Sequence, residues 1–385
     1  MSTAASVVLG TVLRQGPIPR SAIARTSGLS PAAVTRACAA LAELGLLVEM
    51  PQAVPYQGIG RPQVPVDVDT GRHVVAGIHV AHPYCTLTLL DLRGTVLARR
   101  TIPHAGPDPR EVLSTAADEL LRLHDEQLPG HIPLGLGVAA GGWVDPEHGV
   151  IVQHASLGWH GTEVRDLLTA RTGLPVRVDS HTRALARAEQ LFGAANGHDS
   201  VLHLFVGNVV DAAIVTGGAA HRGPRSAAGD VAHLALGDPA VRCECGKRGC
   251  LEATVSDRAW AERAFREGVI SRPHIFDLVG AAVAGSPEAV ACLAERARVV
   301  GRAAAVLFDF VDPGVLVVTE LGTNRVPECV TALRDEVSAM SRASADVVLA
   351  SSFGEDVLAV AAGAVQLDAL YADPLNIRIP VWRGV

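Results

Sequence analysis

No apolar run in the chain reaches the roughly 18 residues that a membrane-spanning helix needs, so no membrane partner is expected. The opening Met1-Ser2-Thr3-Ala4 lacks the basic stretch and cleavage site of a secretory leader. Cysteine is scarce and odd in number, seven in all. Three of them, Cys243, Cys245 and Cys250, crowd into eight positions, which is no disulfide framework. The 38 glycines and 23 prolines follow no period, which excludes collagen-like and repeat architectures. Lysine occurs once, at Lys247, against 32 arginines; this reads as codon bias and carries no functional weight. The location expected from these absences is cytoplasmic.

What is present is globular: 49% hydrophobic and 19% charged residues over 385 positions. That length exceeds one ordinary core and calls for a two-lobed domain or two to three domains. The net charge of −7 is unevenly spread. Residues 1–65 hold five arginines (14, 20, 25, 36 and 61) against Glu43 and Glu49, a head of +3 that leaves −10 for the rest. A mildly basic head on an acidic body suits a small nucleic-acid-binding module fused to something else.

The head has a recognisable grammar. Val7, Val8, Val12 and Leu13 share one helical face. Residues 19–31 read as a short helix, a turn at Gly28 and a new helix capped by Ser30 with Pro31 in its first position. That second helix keeps Val34, Cys38, Leu41 and Leu44 on one face and stops at Gly45, with Thr35 and Arg36 on the other face. This is a helix-turn-helix pattern, whose second helix enters a major groove with its early residues, here Ser30, Ala32, Thr35 and Arg36. Leu46–Glu49 and the alternating Val64, Val66 and Val68 then read as two wing strands. The wing tip, Gly58-Ile59-Gly60-Arg61-Pro62, is expected to bring Arg61 to a minor groove. The boundaries expected are 1–72 for this DNA-binding domain and 73–385 for the remainder. The plainer alternative is a helical cap packed on the larger domain, with Arg61 merely solvated.

Beyond Arg72, strands are expected at 74–80, 86–91, 95–100, 134–140, 176–179, 201–206 and 212–215, and helices at 108–127 and 182–195. A strand meander, a helix and a strand, followed by a similar second set, predict two α/β lobes of the sugar-kinase or actin-like kind, roughly 73–190 and 191–385. The most specific chemistry is His233 followed by Cys243-Glu244-Cys245-Gly246-Lys247-Arg248-Gly249-Cys250. Three thiolates and one imidazole make a complete tetrahedral set for Zn2+, structural because no position is left for water. Gly246 and Gly249 allow the tight fold, and Lys247 and Arg248 offset the thiolate charge. Cys38, Cys85, Cys292 and Cys329 are expected to be ordinary buried thiols.

These features carry a resemblance. The run Ala228-Gly229-Asp230-Val231-Ala232-His233, the spaced cysteines and Cys250-Leu251-Glu252-Ala253-Thr254-Val255-Ser256 resemble the signature of the ROK family (repressors, open reading frames, kinases). Residues 20–48 are similar to the winged helix of its xylose-repressor and N-acetylglucosamine-repressor branch. Residues 73–385 are similar to its two-lobed, ribonuclease H-like sugar-kinase domain. The resemblance implies that His233 also faces a sugar, beside Asp230 and Glu252. Asp230 stands where a glutamate is usual, and Ser156 where the family often has a sugar-binding asparagine. Kinases of the family carry an Asn-Asp pair whose aspartate takes the proton of the sugar hydroxyl. Here Ser180-His181 fill that pair, and Asp179 lies two residues short.

The two phosphate-cradling loops would fall at His79-Val80-Ala81-His82-Pro83, without glycine or acid, and at residues 207–213, with one glycine and an intruding acid. The expectation is therefore a non-enzymatic regulator that binds no ATP. Its expected partners are a double-stranded DNA operator, a sugar or sugar-phosphate effector and a second or further copies as homodimer or homotetramer. The expected ligand set is Asp230, His233, Glu252, His181, Ser180 and Ser156. The alternatives are an active sugar kinase with an appendage and a regulator whose sugar site is dead.

Overall fold

The computed structural model describes residues 3–51, 64–104 and 106–377. The chain divides into two compact units: Met1–Ala140 with Asp145–Ala184 and Leu358–Val385, and Gly141–Val144 with Leu185–Val357.

The first unit opens with α1 (Ala4–Gln15), β1 (Ile18–Pro19), α2 (Arg20–Ser27), α3 (Pro31–Glu43), β2 (Leu47–Glu49) and β3 (Pro65–Val68). Local chemistry sets each boundary. The Thr3 hydroxyl accepts from the Ser6 amide, and Gly28 ends α2 in the left-handed region at φ 72°. Ser30 Oγ accepts from the Ala33 amide at 3.2 Å, and Pro31 opens α3. Helix α3 buries Val34, Ala37, Cys38 and Leu41, and the strands pair antiparallel in the order β1-β3-β2. These elements are fastened to the rest of the unit by polar contacts. His73 Nε2 meets the Leu44 carbonyl at the end of α3, at 2.9 Å. Arg93 donates to the Leu13 carbonyl at 3.0 Å and pairs with Asp67.

Next come β4 (His73–Val80), β5 (Tyr84–Leu90), β6 (Val96–Pro103), α4 (Pro109–Gln127) and β7 (Ile132–Ala140). The short β8 (Trp143–Asp145), whose first two residues count with the second unit, follows; then come β9 (Val150–His154), β10 (Trp159–Thr162), α5 (Val164–Thr172), β11 (Val176–Ser180) and α6 (His181–Phe192), which passes into the second unit at Leu185. The main sheet has the order β11-β7-β4-β5-β6, with β4, β5 and β6 antiparallel and β4, β7 and β11 parallel. Every residue of β4 is buried, as a strand covered on both faces should be.

The second unit repeats this connectivity. Strands β12 (Ser200–Val206), β13 (Val210–Thr216) and β14 (Ala219–Ala220) form a meander. After α7 (Leu251–Val255), α8 (Asp257–Arg266), α9 (Ile275–Val283) and α10 (Pro287–Val311) comes β15 (Val315–Glu320), which joins β12 in parallel. Then α11 (Leu321–Arg325) and α12 (Pro327–Met340) lead to β16 (Val348–Ala350), parallel to β15. The order β14-β13-β12-β15-β16 is the first sheet's pattern over again, the duplicated sheet of the sugar-kinase and actin-like fold. Parallel neighbours require helical crossovers, which α10 and α12 provide.

One expectation is corrected. The boundary expected from the sequence places 191–385 in one lobe, but the helix Val357–Ala372 belongs almost wholly to the first unit. Its small residues lie directly on the first sheet. A Cβ on Gly77 would come within 2.8 Å of the Gly363 nitrogen, and one on Gly137 within 2.1 Å of the Ala362 carbonyl oxygen. Close approach of helix and strand selects glycine at both strand positions. Among the described residues, no single helix is long and apolar enough to cross a membrane.

Candidate metal centre and ligand-binding residues

Residues 221–250 connect β14 to α7 with no helix and no strand. A backbone network shapes them: Cys243 N donates to Lys247 O, Gly246 N to Cys243 O, Gly249 N to Val241 O and Gly237 N to Gly249 O. Gly246 and Gly249 stand at φ 89° and 71°, a region where any side chain is strained, so the glycines do what their spacing implied. The result brings one donor atom each from His233, Cys243, Cys245 and Cys250 within 4.8 Å of one another. Cys243 Sγ lies 3.6 Å from His233 Nδ1, and Cys245 Sγ lies 3.6 Å from Cys250 Sγ. Sulfurs bound at about 2.3 Å around a tetrahedral ion sit about 3.8 Å apart, so the donor set fits such an ion. The thiols also respond to their setting. Burial, followed by the neighbouring thiols, pushes Cys250 up to about 12, while the Lys247 backbone amide draws Cys245 down.

Beside this loop, Glu252 opens α7 and accepts from the Val210 amide at 3.1 Å. Burial raises its carboxyl above the usual range against the pull of that amide; Asp211 and Asp230 add to the rise, and His233 opposes it. Thus Asp230, His233 and Glu252 share one neighbourhood in the second unit, with Asp230 and His233 exposed. Asp211 belongs there too. In the sequence Asp211 stands only as an acid intruding on a phosphate loop, and nothing local marks its place on β13, next to the Val210 amide that Glu252 accepts from.

The other expected ligand residues lie in the first unit. Ser156 sits exposed in the turn Ala155–Leu157. Ser180 ends β11, and His181 opens α6, buried. Here the structure adds a partner. His79 Nε2 and His181 Nδ1 are 3.2 Å apart, and the two rings lie nearly parallel. Burial holds His79 well below the ordinary histidine value, helped by His181 and His154. Asp179 is engaged as well: its Oδ1 accepts from Arg183 Nε at 2.6 Å and from the Ser180 amide at 2.7 Å. His79 stood in the sequence only at an altered phosphate loop, 102 positions from His181, and no local signal joins the two.

On the head, Ser30, Ala32, Thr35 and Arg36 all lie exposed on the first turns of α3, and Thr35 Oγ1 donates back to the Pro31 carbonyl. Arg61 and the tip 58–62 lie outside the described residues. Cys38, Cys85, Cys292 and Cys329 are buried and unbridged.

The family model described as ROK family matches residues 75–367. The chain is 36% identical over 392 residues to the transcriptional regulator Rv0485 of Mycobacterium tuberculosis, covering 97% of this chain and 87% of that protein. In fold it is similar to a solved ROK family transcriptional regulator, a homologue of the Escherichia coli MLC protein. That likeness has a TM-score of 0.78, 24% identity and 96% of each chain covered. It is also similar to a ROK family glucokinase from Streptomyces griseus in complex with glucose and AMPPNP, with a TM-score of 0.66 and 23% identity. There, 76% of this chain and 98% of the other are covered. With its two like-wired sheets, its cysteine loop and these matches, the chain belongs to the ROK family, among its transcriptional regulators.

Proposed function

We propose that residues 1–72 form a winged helix-turn-helix DNA-binding domain and residues 73–385 a sensing and oligomerising ROK domain. Together they act as a cytoplasmic transcriptional repressor on a double-stranded operator. The observation that carries the reading is α3: a capped helix after a left-handed glycine turn, with Ser30, Ala32, Thr35 and Arg36 exposed together beside a three-stranded sheet. Helices of this kind read symmetric half-sites, so the working form is a homodimer or homotetramer. Arg61 serves the wing.

The cysteine loop holds Zn2+, a structural ion because His233, Cys243, Cys245 and Cys250 fill all four positions. The effector is a sugar, an acidic sugar or a sugar phosphate. The residues proposed to serve it are Asp230, His233, Glu252, His181, Ser180 and Ser156. Its binding shifts operator affinity through a coupling of about 1–3 kcal/mol. The domain is not an enzyme and takes no ATP. An imidazole, His181, fills the base position, and Asp179 is already paired with a buried guanidinium. A general base must instead reach the substrate proton.

The reading is testable on DNA and on ATP. Genome-wide mapping of binding sites is expected to return a palindromic operator, and a chain bound nowhere specifically would end the DNA reading. On that operator, Arg36→Ala is expected to cost about 1–3 kcal/mol and to relax preference at one base pair. Unchanged binding would mean that α3 does not read bases. In calorimetry the native protein is expected to show no tight ATP binding; phosphorylation of any common sugar would overturn the non-enzymatic reading.

A further inference from the structure

We propose that the cysteine loop is also a thiol switch: hydrogen peroxide joins Cys245 to Cys250 as a disulfide, and the metal centre comes apart. The proposal rests on the reading of this loop as a zinc site and adds to it the chemistry of its sulfurs.

The donors are not held alike. Cys250 is buried and immediately precedes α7. The next two amides seat it further: Leu251 N donates to Leu234 O and Glu252 N to Ala232 O, each at 3.0 Å, on either side of His233. Cys245 is the opposite case. It is exposed, and no residue from 241 to 248 is buried. Its neighbour Glu244 pairs with Arg258 at 2.9 Å, but both of those side chains stand in water. One sulfur is thus seated in the unit and the other rides on a surface arm, with 3.6 Å between them. A disulfide needs them roughly 1.5 Å closer, a shift that an arm without a core can make. Between the two lie Gly246 and Gly249, both in the left-handed region, which let the chain close the ring. A Cys243–Cys245 bridge would have to close over Glu244 alone, and Cys243 Sγ lies instead against His233 Nδ1.

Exposure sets the order of attack. Cys245, a thiolate when it serves as a metal ligand, attacks one peroxide oxygen; the O–O bond breaks, hydroxide leaves and a sulfenic acid forms. The Cys250 thiolate then attacks the Cys245 sulfur, the S–S bond forms and a second hydroxide leaves. Two protons from solvent turn both hydroxides into water. The two thiolates have given up two electrons, and one peroxide has taken them. His233 and Cys243 remain, half of a tetrahedral set, too few to hold the ion. Cys38, Cys85, Cys292 and Cys329 are all buried, so a dissolved oxidant meets the loop first. The ion is what ties His233 to the start of α7, and its departure loosens the segment that carries Asp230 and His233 beside Glu252.

The test treats full-length protein, its zinc measured beforehand, with hydrogen peroxide in the presence of a chromogenic zinc indicator. Release of about one zinc per chain is expected. A peptide map should show Cys245 and Cys250 joined within one chain, with Cys38, Cys85, Cys292 and Cys329 still free. Dithiothreitol and added zinc should restore both the thiols and the metal. Cys245→His keeps four donors without the exposed sulfur. It is expected to release zinc roughly tenfold more slowly, because attack must then begin at the half-buried Cys243. If that variant takes up no zinc, the map of the native protein decides alone. Native protein that keeps its zinc in a large excess of peroxide overturns the proposal. So does a bridge at another pair, a sulfonate at Cys245 in place of a bridge, or equal release from Cys245→His. Protein isolated without zinc would count against the zinc reading; a Cys245–Cys250 bridge formed in it would leave the thiol chemistry standing, and its absence there would overturn both.

Discussion

Protein prepared without chelator is expected to carry about one zinc per chain, and Cys250→Ser to lose it together with much of the second unit's stability. The expectation follows from what the metal loop lacks. Between Arg222 and Arg248 only Val231 and Ala232 are buried, so the segment has almost no apolar core of its own. Ordering some twenty-five residues costs about 1–2 kcal/mol each in backbone entropy, and backbone hydrogen bonds at a wet surface return little of it. A four-ligand ion held by His233, Cys243, Cys245 and Cys250 would supply the missing centre. Its loss is expected to lower the melting temperature by roughly 10 °C, since a domain of this size moves about 2–4 °C per kcal/mol. Cys250 is the position to change because it is buried and immediately precedes α7, which carries Glu252. The control is Cys85→Ser, a buried thiol outside the loop, which should leave the metal content untouched. Elemental analysis and calorimetry on both variants check this. Native protein without tightly bound metal would remove the ion from the account.

The contrast between what the sequence discloses and what it hides follows contact distance along the chain. The turn at Gly28, the Ser30 cap and the convergence of Cys243, Cys245 and Cys250 are decided by near neighbours, so residue types and spacing are enough to find them. The β4-β5-β6 meander is equally local. Strands β7 and β15 need crossovers, and alternation of patterns suggests these without fixing them. The return of the last helix to the first sheet rests on Gly77 and Gly137, whose roles appear only when Gly363 and Ala362 lie against them. His79 and His181 meet by the same long-range logic, as do the residues around Arg296. Single acids and histidines in a sequence carry no mark of the partner they will find.

Arg296 gives the sharpest consequence of that kind. Its side chain is fully buried on α10, and each of its three guanidinium nitrogens donates a hydrogen bond. Nε donates to the Val255 carbonyl at 2.9 Å, Nη1 to Glu320 at 2.7 Å and Nη2 to Asp257 at 2.6 Å. Glu320 also caps α11 by accepting from the Thr323 amide at 2.7 Å, and the Asp257 amide donates to Gly207 at 2.9 Å. One cation therefore ties α10 to α7, α8 and β15, with two carboxylates against it. Burial raises the Asp257 carboxyl and Arg296 opposes that rise, so removing the cation strands two buried anions. Arg296→Ala is expected to cost about 3–5 kcal/mol, a large part of an ordinary domain's 5–15 kcal/mol. Arg296→Lys should recover little, because one ammonium cannot span three acceptors held in a guanidinium fork. Glu320→Gln should be far milder. Its one remaining oxygen can accept from Arg296 or from the Thr323 amide but not both, so one hydrogen bond is lost; no buried anion is stranded, however, and Arg296 keeps its pair with Asp257. Urea unfolding of the three variants measures this ordering. Equal losses for Arg296→Ala and Glu320→Gln would mean that packing, and not the charge balance, sets the cost. Because the Val255 contact holds the end of the helix that Cys250 and Glu252 begin, Arg296→Ala should also weaken metal retention, whereas Glu320→Gln should not.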